Sequence, residues 1–137
     1  MTQRVALVTG AMGGLGTAIC QELAKAGHKV VAAYHPEFDK PDDWKKEMAA
    51  AGFNDFICVA GDVSSFDSCV AMVAEAEAKA GQVDILVNNA GITRDKMFGR
   101  MELGQWDAVI ATNLTSLFNM TKQVSANMAV LAEKLNH

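Results

Sequence analysis

The stretch Val5-Ala-Leu-Val-Thr-Gly-Ala-Met-Gly-Gly-Leu-Gly16 constrains this chain more than any other. The apolar run from Val5 to Val8 is long enough for a buried strand and too short for a helix. Glycines then recur at 10, 13, 14 and 16, and an amphipathic segment follows. Its apolar residues Leu15, Ile19, Leu23 and Ala26 fall three to four apart, and Gly27 stands where a helix C′ residue belongs. The order is therefore strand, glycine turn, helix. A tight turn needs backbone without Cβ, and the helix N-terminus beyond it offers unpaired N–H donors and a dipole that favours anions. This suits a pyrophosphate. The spacing Gly10-x-x-x-Gly14-x-Gly16 is not G-x-G-x-x-G, however, so the glycines alone also fit a flexible connection.

Three further units repeat the alternation. His28 to Tyr34 reads as a second strand, and Pro41 to about Ala51 as a helix with acids in its first turn, closed by Gly52. Phe56 to Ala60 is a third strand, followed by Gly61-Asp62-Val63. Ser64 is placed to cap the next helix, with Asp67 in capping-box position and an apolar face of Phe66, Val70, Val73, Ala76 and Ala80. Val83 to Val87 is a fourth strand running into Asn88-Asn-Ala-Gly91. Strands separated by helices of this length imply right-handed crossovers and a parallel sheet. Residues 92–104 read as loop with at most a short turn. From Gln105 the pattern is helical to the end, as one helix or as two broken near Asn113.

At 137 residues the chain is expected to form one domain, 1–137, and its 50% hydrophobic content is enough for a packed core. Net charge is −4 with no basic stripe, which argues against a nucleic-acid partner. No apolar run approaches the ~20 residues of a membrane span. The first residues pass straight into a strand, so no signal peptide is expected. Cys20, Cys58 and Cys69 lack C-x-x-C spacing and suit a reducing, cytoplasmic setting, while His28, His35 and His137 lack metal-ligand spacing. No metal is expected.

Taken together, Thr9-Gly10-x-x-x-Gly14-x-Gly16, Asp62-Val63, Asn88-Asn-Ala-Gly91 and Asn113 in Thr-Asn-Leu-Thr-Ser resemble the short-chain dehydrogenase/reductase family, in order and in separation, over residues 1 to about 129. The run from 84 to 124 is similar to its 3-oxoacyl reductase branch, and within that to the acetoacetyl-CoA reductases. The resemblance implies an α/β fold, a Rossmann-like doubly wound parallel sheet of strand order 3-2-1-4, cut off before a fifth strand. It implies NADPH-dependent reduction of acetoacetyl-CoA, an acyl-CoA substrate, to the (R)-3-hydroxyacyl product for polyhydroxybutyrate synthesis.

The resemblance also distributes roles. Thr9, Gly10, Met12, Gly13, Gly14, Leu15 and Gly16 would surround the pyrophosphate. Tyr34 and His35 would border the adenosine end, Asp62 would accept from the adenine amino group, and Val63 would pack on the ring. Asn89, Ala90 and Gly91 would line the nicotinamide ribose side, and Asn113 would kink the long helix and hold a water that relays protons. An acid that bonds the ribose 2′-hydroxyl is expected ~20 residues past the glycines. Here the strand ends Ala33-Tyr34-His35-Pro36, which favours NADP(H) over NAD(H). His35 and Lys40 are either phosphate partners or solvated loop residues. Met97, Phe98 and Met101 either line a substrate mouth or cover the core.

The family's proton donor is a tyrosine in Tyr-x-x-x-Lys, with a serine upstream. The one tyrosine here is Tyr34, with Phe38 four residues on. The chain is therefore expected to carry the cofactor-binding half and to be inactive alone. The alternatives are an inactive NADP(H)-binding module or a non-functional fragment. Its helical tail through His137 suggests a frameshift, a misplaced boundary or an engineered truncation. An open fourth strand and an apolar terminal helix lead to an expectation of homo-oligomers, tetrameric by the family resemblance, and of self-association for this chain.

Overall fold

A computed structural model describes residues 3–135; Met1, Thr2, Asn136 and His137, including the tail's last residues, lie outside them. Four strands, β1 (Val5–Val8), β2 (Lys29–Tyr34), β3 (Ile57–Ala60) and β4 (Ile85–Val87), form one parallel sheet in the order β3-β2-β1-β4. Ala6, Leu7 and Val8 pair with Val30, Val31 and Ala32 on one side, and with Ile85, Leu86 and Val87 on the other. β1 is thus the switch point of the sheet, from which the chain builds outward in both directions. Ligands of such sheets bind beyond the carboxyl ends of the strands at that point.

Side chains alternate across the strands. Val8, Val30 and Ala32 face a layer made by α1 (Gly14–Lys25) and α2 (Pro41–Ala50), with Cys20, Trp44, Met48 and Phe56 in its core. Leu7, Val31, Ala33 and Val59 face α3 (Phe66–Ala80) and α5 (Ser116–Leu135), which contribute Met72, Val73, Ala76, Met120 and Val124. Between β4 and α5 lie a single 3-10 turn, Phe98–Arg100, then α4 (Leu103–Ile110), then a π-helical turn, Ala111–Thr115. The break foreseen near Asn113 is that turn. Among the described residues no helix is long and apolar enough to cross a membrane.

Two helix faces differ from the periodicity reading. α1 buries Gly16 and Cys20 and leaves Leu15 68% exposed; α3 buries Cys69 and Met72 while Phe66 and Val70 are more than two-fifths exposed. The expected Val73, Ala76 and Ala80 of α3 are buried and Ile19 and Leu23 of α1 pack against the core, so only the N-terminal ends of the two stripes differ, where the small Gly16, Cys20 and Cys69 are buried instead. The cap of α3 also moves by one residue. Ser65, not Ser64, accepts from the Ser68 amide at 3.2 Å, because the Ser64 hydroxyl is engaged with Asp62.

Candidate functional site

The segments that leave the carboxyl ends of β1, β2, β3 and β4 surround a cleft of about 400 Å³, closed on one side by α4 and the π turn. Of the residues expected at a cofactor, Thr9, Gly10, Tyr34, His35, Asp62, Val63, Ala90 and Gly91 line it. Met12 and Gly13 line a smaller adjoining hollow with Gly10, Tyr34, His35 and Phe38. Lys40 borders neither. Asn113 faces a third hollow, beside Ile92, Arg94 and Trp106, while its neighbours Ala111 and Thr112 line the main cleft. Ser64, Ile92 and Arg94 were not anticipated from sequence. They belong to the cleft because they follow expected residues directly, and position after a motif was the one signal that could have found them.

Two of the four glycines of the turn have a structural reason to be glycine. Gly10 has φ +61°, and a Cβ there would meet the Ala90 backbone at 2.9 Å, so it serves both the turn and the close approach of the Asn89 loop. A Cβ on Gly16 would run into the Gly10 carbonyl, so Gly16 lets α1 seat against the turn. Gly14 has no such reason. A Cβ there would meet nothing within 4 Å. Gly13 likewise meets only the Gly10 carbonyl, at 3.7 Å. The amides of Gly14, Leu15 and Gly16, the first of α1, donate to no group among the described hydrogen bonds. Open backbone, unpartnered N–H groups and the positive end of a helix dipole make a surface that can hold a phosphate.

Thr9 fastens this turn to the next loop. It is 1% exposed; its hydroxyl accepts from the amides of Asn89 and Ala90, each at 3.0 Å, and lies 3.4 Å from the Val87 carbonyl to which it donates. The Asn89 side chain then donates to the Gly10 carbonyl at 3.1 Å. The hydrogen-bonding capacity of Thr9 is spent inside the protein.

Across the cleft Asp62 accepts from the Ser64 hydroxyl at 2.6 Å and the Ser64 amide at 3.0 Å, both on Oδ1. The Ser64 hydroxyl is the main reason its pKa lies below the ordinary carboxylate value. Desolvation opposes the shift, and the Ser64 amide and His35 add to it. Oδ2 has no partner among the described bonds. An ionised carboxylate with a free oxygen is an acceptor for an amino group. His35 accepts the Glu37 amide on Nδ1 at 3.1 Å, which assigns the neutral ring's proton to Nε2, 3.9 Å from Asp62.

Asn113 spends both ends of its carboxamide on one residue: Oδ1 accepts the Ile92 amide at 2.8 Å, and Nδ2 donates to the Ile92 carbonyl at 2.9 Å. It thereby ties the π turn to the segment that follows Gly91.

The family model for short chain dehydrogenases matches residues 4–134. Among curated proteins, the chain is 63% identical over 129 residues to nodulation protein G of Azospirillum brasilense. It is 54% identical over 129 residues to an acetoacetyl-CoA reductase of Cupriavidus necator. Each alignment covers 94% of this chain and 52% of the relative, so the chain spans about half the length of the curated relatives it matches. A solved structure from Novosphingobium aromaticivorans, described as a short-chain dehydrogenase, superposes with a TM-score of 0.89 at 27% identity, over 98% of this chain and 48% of that one.

Proposed function

This chain belongs to the short-chain dehydrogenase family of oxidoreductases, and from that premise we propose that it is the NADP(H)-binding half of a 3-oxoacyl-CoA reductase. The substrate class we assign is acetoacetyl-CoA, reduced to the (R)-3-hydroxyacyl-CoA for polyhydroxybutyrate synthesis in the cytoplasm. The observation that carries the reading is Gly14: a glycine that no clash and no positive φ requires, whose amide, like those of Leu15 and Gly16, donates to no group among the described hydrogen bonds, just beyond the hollow lined by Gly10, Met12 and Gly13.

In this reading the pyrophosphate lies on Gly13, Gly14, Leu15 and Gly16, with Met12 and Gly10 beneath it. The adenine amino group donates to Asp62 while Val63 supports the ring. Tyr34 and His35 border the adenosine ribose, where the lack of an acid leaves room for a 2′-phosphate. Ala90 and Gly91 face the nicotinamide end, held at their depth by Thr9 and Asn89. A bound NADPH supplies the hydride. Because the side chain of Asn113 is committed to Ile92, a proton-relaying water at this point would be held by main-chain carbonyls of the π turn rather than by the Asn113 carboxamide. The only tyrosine, Tyr34, stands at the adenosine end without a lysine four residues on, so these 137 residues bind cofactor and do not complete the reduction.

Association with a second copy belongs to the same reading. Leu114, Leu117 and Phe118 on the helical arm, with Phe66 and Val70 beside them, expose apolar surface of the sort that is covered in oligomers. A monodisperse monomer by light scattering contradicts that part.

Fluorescence titration of the full chain with NADPH and NADH tests the core of the proposal. NADPH should bind more tightly. Tighter NADH overturns the 2′-phosphate assignment, and binding of neither overturns the function itself. Adding acetoacetyl-CoA to the NADPH complex should cause no oxidation of the cofactor.

A further inference from the structure

We propose that Asn119 is a positioning residue that holds the Asp62–Val63 wall of the cleft against α5 and so sets the adenine end of the site, an inference that rests on the cofactor reading above. Asn119 is 4% exposed, and its Nδ2 donates to the Val63 carbonyl at 3.0 Å across 56 residues of sequence. The only other donor to that carbonyl among the described bonds is the Cys69 thiol at 3.6 Å, which is weak. The other hydrogen bonds to the Asp62 backbone come from the start of α3. The Ser65 amide donates to the Asp62 carbonyl at 3.0 Å, and the Asp62 amide donates to the Ser68 hydroxyl at 2.8 Å. The Gly61 amide ties the residue before the wall to the Tyr34 carbonyl of β2 at 2.9 Å, so Asn119 is the described hydrogen bond that ties Asp62–Val63 itself to the helical arm.

The π turn that leads into α5 holds the opposite wall. Six residues earlier Asn113 is bonded both ways to Ile92, which lines the same cleft as Val63. One helical arm thus grips both sides, through one asparagine in the π turn and a second in the first turn of α5. The extra residue of a π turn advances everything after it by about 100° around the helix axis. The turn therefore sets the direction in which Asn119 points as well as the bend at Asn113. If the Asn119 amide is lost, a buried carbonyl keeps only a thiol, and the Asp62–Ser64 backbone has to shift towards water to satisfy it.

The test uses Asn119→Leu, similar in volume and without a donor, and Asn119→Ser, which leaves room for a water at the carbonyl, both in the full chain. Probes are NADPH, adenosine 2′,5′-bisphosphate for the adenine half and reduced nicotinamide mononucleotide for the other half. Both variants should lose affinity for the first two by a common factor of about tenfold, with the mononucleotide unchanged. Amide hydrogen exchange should rise in residues 61–65 and stay as in the parent along α1. Equal losses for all three probes, or parental affinity for the adenine probe, overturn the proposal. If the parent chain binds none of the probes, the cofactor reading fails by itself. Exchange in residues 61–65 then decides the positioning role, and parental exchange there overturns it. If the Leu variant lacks a cooperative melt, the Ser variant carries the same comparison.

Discussion

On one side of the cleft the chain leaves β1 through Thr9 and Gly10, and each step is anchored to the sheet by backbone or by a buried hydroxyl. On the other side, residues 92–100 run with nearly every side chain exposed, Phe98 at 87%, before α4 begins. The described tie from that segment to the rest of the fold is the Asn113 carboxamide. The first side is built before any ligand arrives. The second is tied to the rest of the fold, among the described hydrogen bonds, by one solvent-accessible side chain. If the cofactor reading holds, the first side is the phosphate platform and the second an entrance beside it.

The contrast breaks most visibly at Thr9. Thr9→Val keeps the shape and leaves the Asn89 and Ala90 amides without an acceptor, so urea denaturation should find a loss of about 2–3 kcal/mol. A loss under half a kilocalorie would mean that the loop does not depend on the hydroxyl. Asn113→Ala removes two hydrogen bonds as well, but at an exposed position where water replaces them. Its cost should be about 1 kcal/mol or less, with faster amide exchange confined to residues 92–100. If Asn113→Ala proves as damaging as Thr9→Val, the two sides are equally fixed and the division of labour falls.

Much of this arrangement could be read from sequence, for identifiable reasons. Backbone requirements left clear marks: the strand–glycine–helix order at Val5 to Gly16, the Pro41 start of α2 and the Asn113 break all followed from residue types with few alternative uses. The parallel order 3-2-1-4, expected from the family resemblance, is the order observed. Packing left fainter marks. The later part of the α3 face, Val73, Ala76 and Ala80, is buried as expected, whereas at the starts of α1 and α3 the buried residues are Gly16, Cys20 and Cys69 and the large Leu15 and Phe66 are exposed. Ser65 rather than Ser64 caps α3 because a neighbouring carboxylate competes for the hydroxyl, which no propensity encodes. The side-chain bridges Thr9–Asn89, Asn113–Ile92 and Asn119–Val63 span 80, 21 and 56 residues, beyond any local pattern.

The smallest expected change in stability falls at Gly14, the residue on which the proposed cofactor site rests most. Gly14→Ala places a methyl in open space at the first turn of α1, at ordinary helical φ, so the melting temperature should stay the same or rise slightly. The same methyl would stand where the pyrophosphate approaches the backbone. Titrating NADPH into parent and Gly14→Ala chains by fluorescence is therefore the most direct measurement. We expect affinity to fall at least tenfold, about 1.4 kcal/mol, with the melt intact. Equal affinity in the two chains would mean that no phosphate lies on this turn and would contradict the cofactor site.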